Sequence, residues 1–289
     1  MVAPRLSIVP ARYSCAFVFS GGGNLGSIQV GMLRALLEAG ITPDLLVGSS
    51  VGALNAAFMA CGPTLERLDT LERVWRGLRS SDIFVGSRRS QLAHLLRRHD
   101  HLHDSSGLAA IVKEHIRVDD LSQLPVHLEV ATTDLHEGEA RWWSSGAPAL
   151  ILCASAALPG IFPPMQLDGH LHVDGGVLAP IPVQRAIDLG ASTIWVLDVG
   201  AERPVRIADK MHALEVFMAS FATSRRKMAL APVPVPDGVV VHQLPFPEIG
   251  DLGRTDFSTS GRLLDEAYAL TRDHLDGLAL TGGGLLASA

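Results

Sequence analysis

Two glycine-framed turns near the N-terminus hold the residues best suited to chemistry. The first is Gly21-Gly22-Gly23-Asn24-Leu25-Gly26 and the second is Gly48-Ser49-Ser50-Val51-Gly52. A serine hydroxyl is a weak nucleophile at neutral pH. It needs a base within hydrogen-bond reach and donors for the oxyanion that forms when it attacks a carbonyl. Ser50 is the central residue of a GxSxG pattern, which presents a hydroxyl on a tight strand-to-helix turn. Gly48 and Gly52 let strand and helix approach closely. Ser50 also heads the helix expected from Val51, where developing negative charge gains from the helix dipole and the free N–H groups. Ser49 is expected to face the packed side. The five-residue pattern alone also fits a plain tight connection. The upstream run decides for chemistry, because Gly21, Gly22, Gly23 and Asn24 can aim successive amides at one point and form an oxyanion hole. Together the two turns supply most of an acyl-transfer site.

A conventional triad would take a histidine as base. The chain has 12 histidines, so their presence selects nothing. His94, His99, His101, His103 and His115 fall in a polar middle segment and His212 in a helical pattern, where solvated or locally bonded roles suffice. Asp174, in Val173-Asp174-Gly175-Gly176, is the sharper candidate, since the glycines after it allow its backbone to turn closely against another loop. Asp168 is weaker, because Asp168-Gly169 has its own reason to exist as a two-residue hairpin turn. Gly21, Gly23 and Gly26 also match the dinucleotide fingerprint GxGxxG. That fingerprint calls for an acidic residue ending the next strand. Here the acidic residue, Asp44, stands at the start of that strand instead, which argues against a nucleotide-binding module.

The elements that must position these residues follow from hydrophobic period. Cys15–Ser20 reads as a buried strand, 27–39 as a helix capped by Gly40, Asp44–Val47 as a second strand and Val51–Cys61 as a second helix. A strand–helix–strand crossover implies a parallel pair. Further on, 65–78 reads as an amphipathic helix and 80–125 as helices and loops over the sheet. A strand is expected at 126–133, with 139–143 as its hairpin partner, a buried helix at 147–158, and a hairpin at 165–174. A helix at 182–189, a buried strand at 193–199, an amphipathic helix at 207–227 and a late strand at 239–244 follow. The whole of 1–289 reads as a single domain with a core at about 13–245, a C-terminal helix at about 258–275 and a frayed tail at about 280–289. The fold class is α/β.

Composition fits that reading. Of the 289 residues 47% are apolar and 19% charged, as in a globular domain with a large interior. The net charge of −6 argues against a nucleic-acid binder, which normally shows a basic face. Cys15, Cys61 and Cys153 form no metal spacing and read as buried free thiols, and their odd number favours a reducing, cytoplasmic compartment. No apolar stretch reaches the ~20 residues that span a bilayer.

The blocks Gly21–Gly26, Gly48–Ala53, Ala154-Ser155-Ala156-Ala157-Leu158-Pro159-Gly160-Ile161-Phe162-Pro163-Pro164 and Asp174–Gly176, in that order, resemble the patatin-like phospholipase family. The resemblance implies a three-layer α/β/α fold with a mostly parallel central sheet. It implies a Ser–Asp dyad with Ser50 as nucleophile and Asp174 as general base, and an oxyanion hole from Gly21, Gly22, Gly23 and Asn24. The implied reaction is hydrolysis of an acyl ester of a lipid through an acyl-enzyme, with neither cofactor nor metal. The family's glycine block usually reads GGGxRG, and Leu25 stands where it has arginine. Leucine brings no cation, so the pattern predicts a neutral lipid or simple ester as substrate. A catalytically idle relative that binds lipid or a partner is the competing class. On the 207–227 helix Met211, Leu214, Phe217, Met218 and Phe221 share a face, followed by Arg225, Arg226 and Lys227. That face fits a core or homodimer contact, with the cations on the helix C-terminal dipole, or a lid touching a membrane surface peripherally. Trp142 and Trp143 offer a further lipid contact, although one of two adjacent strand residues normally faces the core.

Overall fold

Strand β1 (Tyr13–Phe19) sends alternate side chains into two different cores. Cys15, Phe17 and Phe19 join one, while Ala16 and Val18 join the other. A strand buried on both faces must lie inside a sheet that helices cover on both sides. The computed structural model describes residues 12–84, 101–200, 212–250 and 255–280. In it β2 (Leu45–Ser49), β3 (His127–Asp134) and β7 (Ala191–Leu197) extend the sheet around β1. The eight-stranded order is β5-β6-β3-β2-β1-β7-β8, with β4 (Glu139–Trp143) paired to β3. The outer strands are β5 (Met165–Leu167), β6 (His170–Asp174) and β8 (Val240–Gln243). The pairs β1–β2, β1–β7, β2–β3 and β7–β8 are parallel, and the β3–β4, β3–β6 and β5–β6 pairs are antiparallel.

On one face lie α1 (Ser27–Glu38), α2 (Val51–Ala60) and α3 (Leu65–Gly77), with α4 (Ser80–Ile83), α5 (Ser106–His115) and α6 (Pro148–Ser155) beyond them. The opposite face is covered by α7 (Val183–Asp188), whose Val183, Ala186 and Ile187 meet Ala16, Val18, Leu45 and Val47. These are the three layers that the resemblance implies. Each fully buried Phe or Leu in these layers contributes about 1.5–3 kcal/mol relative to exposure. Two further helices follow, α8 (Ala213–Ala229) and α9 (Ser260–Leu280), the latter packed on α1.

Most expected elements appear within a residue or three, and the differences have local causes. Asp44 does not belong to β2. Its carboxylate accepts from the Ser14 N–H at 2.7 Å, the Ser14 hydroxyl at 2.8 Å and the Cys15 N–H at 2.9 Å, lacing β1 to the start of β2. The Asp168-Gly169 turn forms as read, with φ of 47° and 86°. Helix α8 begins at Ala213, because His212 is its N-cap; residues 207–211, Met211 included, lie outside the described residues. Helix α9 runs on to Leu280, past the expected end, and the tail from 281 lies outside the described residues, as do His94 and His99. All three cysteines are free, and Cys15 and Cys153 are buried, but Cys61 is only half-buried. Burial, aided by the Asp44 charge, pushes the Cys15 thiol up to about 12. Trp143 packs on the larger core and Trp142 on the smaller, so the tryptophan pair straddles the sheet.

Candidate active site

The two turns and the acid meet because two strands share one edge of a third. Val130 and Ala131 of β3 pair with β2 on one side and β4 on the other. Thr132, Thr133 and Asp134 pair with β4 and with β6. Strand β6 therefore takes over the edge that β2 leaves. Ser49 ends β2 opposite Ala131, and Asp174 ends β6 opposite Thr132. The antiparallel and parallel runs bring their C-terminal ends together at adjacent positions of β3, and Ser50 follows directly on Ser49.

Ser50 sits at φ 56° and ψ −131° as the N-cap of α2. Such a conformation is costly for a residue with a side chain and is seen at nucleophile elbows. The turn is held by its surroundings. The Ser50 N–H donates to Ser155 Oγ at 3.0 Å. A Cβ on Gly52 would fall 2.5 Å from the Ser20 carbonyl oxygen, so only glycine lets α2 start this close to the end of β1. Ser49 is fully buried, as expected. The Ser50 hydroxyl donates to Asp174 Oδ2 at 2.5 Å. Among the described residues its bond is to this carboxylate and not to a histidine. Asp174 is 4% exposed, and its Oδ1 accepts the Gly176 N–H at 2.7 Å. Its backbone is fixed at both ends, by its own N–H on the Ala157 carbonyl and by the Thr133 hydroxyl on its carbonyl, each at 3.0 Å. Burial raises the Asp174 carboxyl above the ordinary aspartate value, against the Ser50 hydrogen bond, the Arg225 charge and the Gly176 N–H, which favour the anion.

The glycine turn departs from the expected row of free amides at Gly21. The Gly21 N–H donates to the Pro180 carbonyl at 3.1 Å, so this amide anchors the loop and is not offered to an oxyanion. The Asn24 side-chain amide donates to the Asp256 carbonyl at 2.6 Å, so it ties the turn to the segment before α9. Gly22, Gly23 and Asn24 line the same cavity as Ser50 and Asp174, whereas Gly21 is not among the lining residues. A Cβ on Gly22 would fall 2.1 Å from Val199 Cγ2, so this approach too admits only glycine. Behind the turn lies a buried polar chain that sequence reasoning missed. Trp75 Nε1 donates to Asn55 Oδ1 at 2.9 Å, and Asn55 Nδ2 donates to Gln29 Oε1 at 2.8 Å and to the Gly26 carbonyl at 3.0 Å. Gln29 Nε2 in turn donates to the Ser20 carbonyl at 2.8 Å and the Leu197 carbonyl at 3.1 Å. The isolated amides in α1 and α2 were its only trace in the sequence.

The cavity holds about 600 Å³ and is lined mainly by apolar side chains. It runs beside α2 from Ser50 to Phe58, eight residues on, which is about 12 Å of helix. At that end the Phe58 ring lies 5.4 Å from the His115 ring of α5. Such a space suits an extended apolar chain leading away from the hydroxyl.

Arg225, a residue not singled out as a site residue, also lines the cavity. Its Nη2 donates to the Gly21 carbonyl, and its charge acts on Asp174. Leu25, meanwhile, is 7% exposed and belongs to the larger core. Leu25 itself brings no cation to the turn, but helix α8 brings a guanidinium from 200 residues further on. The two histidines of β6 do other work. His172, two residues before Asp174, bonds Thr132 Oγ1 through Nδ1 at 3.0 Å, and burial lowers its pKa. His170 pairs with Asp134 at 2.7 Å; with His136 these two bring ligand-type atoms within 4.8 Å of one another. Asp134 also accepts the His136 N–H at 2.8 Å and the Glu137 N–H at 3.2 Å, so its carboxylate closes the β3–β4 turn.

The chain is 28% identical over 199 residues to patatin-like phospholipase domain-containing protein 7 of Rattus norvegicus, covering 68% of this chain and 14% of that one. It is 30% identical over 213 residues to patatin-like phospholipase domain-containing protein 6 of Homo sapiens, again spanning 14% of that relative's length. An uncharacterized NTE family protein of Mycobacterium bovis is 30% identical over 196 residues, 67% of this chain and 52% of the relative. Among solved structures, VipD from Legionella pneumophila aligns at a TM-score of 0.49 and 14% identity, covering 92% of this chain and 67% of that one. The family model for patatin-like phospholipase matches residues 17–187, a span that holds both glycine turns, Ser50 and Asp174, and on that match the chain belongs to the patatin-like phospholipase family.

Proposed function

We propose that this protein is a serine acyl hydrolase that cleaves acyl esters of lipids, with Ser50 as nucleophile and Asp174 as general base. The observation that carries the reading is the 2.5 Å hydrogen bond from Ser50 Oγ to a buried Asp174 carboxylate at one end of an apolar cavity of about 600 Å³. The acyl chain lies along α2, and the ester carbonyl rests at Ser50.

Ser50 Oγ attacks the carbonyl carbon while its proton passes to Asp174 Oδ2. The carbonyl electron pair moves onto oxygen, where the backbone amides of Gly22, Gly23 and Asn24 receive it. Each such donor supplies about 3–4 kcal/mol of barrier lowering. Collapse expels the alcohol, which takes the proton from Asp174 and leaves acyl-Ser50. Water then gives a proton to Asp174 and attacks the acyl carbon. Collapse returns the proton to Ser50 and releases the carboxylic acid. A carboxyl group can do a histidine's work only if it holds a proton well enough, and burial raises Asp174 in that direction.

The reading includes a single domain and no cofactor, with Val216 and Phe217 of α8, 49% and 47% exposed, as a peripheral contact with lipid aggregates. Among the described residues no helix is long and apolar enough to cross a membrane. A fluorophosphonate probe tests the proposal. It should label Ser50 in the parent and not in Ser50→Ala, and labelling should track hydrolysis of p-nitrophenyl acyl esters. A folded parent that neither reacts with the probe nor hydrolyses any ester would identify the idle, lipid-binding relative instead.

A further inference from the structure

The Arg225 guanidinium stands between the two halves of the site. One end reaches the Gly21 carbonyl. Its Nε lies 3.6 Å from the Cβ position of Gly176, the residue whose N–H holds Asp174 Oδ1. Gly21 is thus gripped twice, by Arg225 at its carbonyl and by Pro180 at its N–H. The Gly21 carbonyl and the Gly22 N–H belong to one planar trans peptide and point in opposite directions. Holding the oxygen therefore fixes where the next N–H aims. A cation on that oxygen also polarises the peptide and makes the N–H a better donor.

We propose that Arg225 is a positioning residue of the oxyanion loop: from α8 it clamps the Gly21–Gly22 peptide so that the Gly22 N–H faces the reacting carbonyl oxygen. The role rests on the hydrolase reading above and goes beyond it, since it makes the seating of α8 a condition of turnover. Helix α8 is a wall of the cavity, with Met218 and Ala219 buried against it and Val216 and Phe217 turned outward. Movement of that wall carries the clamp away from the loop. The groups facing Asp174 are the Ser50 hydroxyl from α2, the Gly176 N–H from the turn after β6, and Arg225 from α8. Glu215 of α8 and His115 of α5 are the other ionisable residues lining the cavity, and His172 of β6 is turned to Thr132.

Steady-state hydrolysis of p-nitrophenyl butyrate, a small uncharged ester, separates this role from binding of an anionic group. Arg225→Ala should lower kcat by about 10–100-fold, less than the loss of a whole oxyanion donor, with KM within about threefold of the parent. The acid limb of its pH profile should move to higher pH, because a cation that favours the Asp174 anion is gone. Added methylguanidinium should restore part of kcat. Arg225→Lys should fall between, since an ammonium reaches the Gly21 oxygen but does not also span to Gly176. If Arg225→Ala does not fold, Arg225→Lys carries the test alone. Parental kcat and acid limb in the folded variant overturn the proposal. So does a loss confined to KM for esters with an anionic head group, which would make Arg225 a substrate-binding residue. A parent with no activity and no probe labelling removes the hydrolase reading and this role together, whereas an active parent matched by the variants removes this role alone.

Discussion

Asp174→Asn should separate activity from stability and move them in opposite directions. Asparagine has almost the same shape, and its Oδ1 can still accept the Gly176 N–H that lies 2.7 Å from Asp174 Oδ1. Its Nδ2 faces Ser50 Oγ, which is 2.5 Å from Asp174 Oδ2 in the parent. The fold is therefore kept, but an amide cannot take the serine proton. Loss of a positioned general base costs about 10²–10⁴ in rate, or roughly 3–5.5 kcal/mol at 1.36 kcal/mol per tenfold. Because no histidine among the described residues bonds the Ser50 hydroxyl as a substitute, kcat for p-nitrophenyl butyrate should fall to the lower end of that range of residual activity. The stability effect has the reverse sign. Burial raises the folded-state pKa of Asp174 above its unfolded value, so the folded protein holds this proton more tightly than the unfolded chain. That contribution is present below the unfolded aspartate value and is lost as pH climbs through the raised folded value. Above it the parent keeps a carboxylate that burial penalises, whereas the asparagine variant does not. Thermal melts from pH 4 to 8 should show the melting temperature of Asp174→Asn gaining on the parent as pH rises. A variant with near-parental kcat, or one whose melting temperature falls further behind the parent at neutral pH, refutes the reasoning.

Three other perturbations probe the supports of the site. Asn55→Leu leaves Trp75 Nε1 and the Gln29 amide oxygen buried without Asn55, at about 1–3 kcal/mol each, so urea unfolding should show roughly 2–6 kcal/mol lost. Ile111→Trp, one turn before His115 on the cavity wall, should spare turnover of a butyrate ester and sharply raise KM for a palmitate ester, read from a chain-length series. Leu25→Arg restores the arginine that the family's glycine block usually carries, but Leu25 is 7% exposed in the larger core. Burying an unpaired guanidinium there should cost several kcal/mol, seen as a large drop in melting temperature with no gain on anionic substrates.

What the sequence could reveal was set by how local each determinant is. The two glycine turns announce themselves because strand, turn and helix follow one another directly, and the period of apolar residues changes on either side. Asp174 stands out because Gly175 and Gly176 follow it, and a Cβ on Gly175 would fall 2.3 Å from the Ala131 carbonyl oxygen. Other features depend on residues far apart in the chain. No pattern of spacing says that Gly21 will give its N–H to Pro180, or that Asn24 will reach Asp256. Arg225 was visible only as part of a basic helix end, where the helix dipole already gave it a reason to exist. Leu25 likewise says only that the turn itself carries no cation: charge in a pocket is a property of the fold, and any element that reaches the pocket can supply it.

The shared edge of β3 explains why the acid and the hydroxyl can be so close without any sequence motif joining them. Ser49 opposite Ala131 and Asp174 opposite Thr132 sit at consecutive positions along one edge of β3, where the parallel ladder ends and the antiparallel one begins. Their spacing is therefore a matter of register, and register in a strand buried on both faces is strongly specified. A slip of one residue in β6 would turn its side chains to the opposite face of the sheet and carry the Asp174 carboxylate away from Ser50. The β5–β6 turn opposes such a slip, because Asp168 and Gly169 with φ of 47° and 86° fix the hairpin that feeds the strand. The Thr133 hydroxyl on the Asp174 carbonyl opposes it from the other end. The precision of the Ser50–Asp174 contact is thus delegated to ordinary sheet pairing, while the Gly21–Gly26 turn, which has no strand partner, is held by contacts from Pro180, Asp256, Asn55 and Arg225. Variation in substrate or control can then enter through those contacts, above all through α8, without disturbing the pairing that brings Ser50 and Asp174 together.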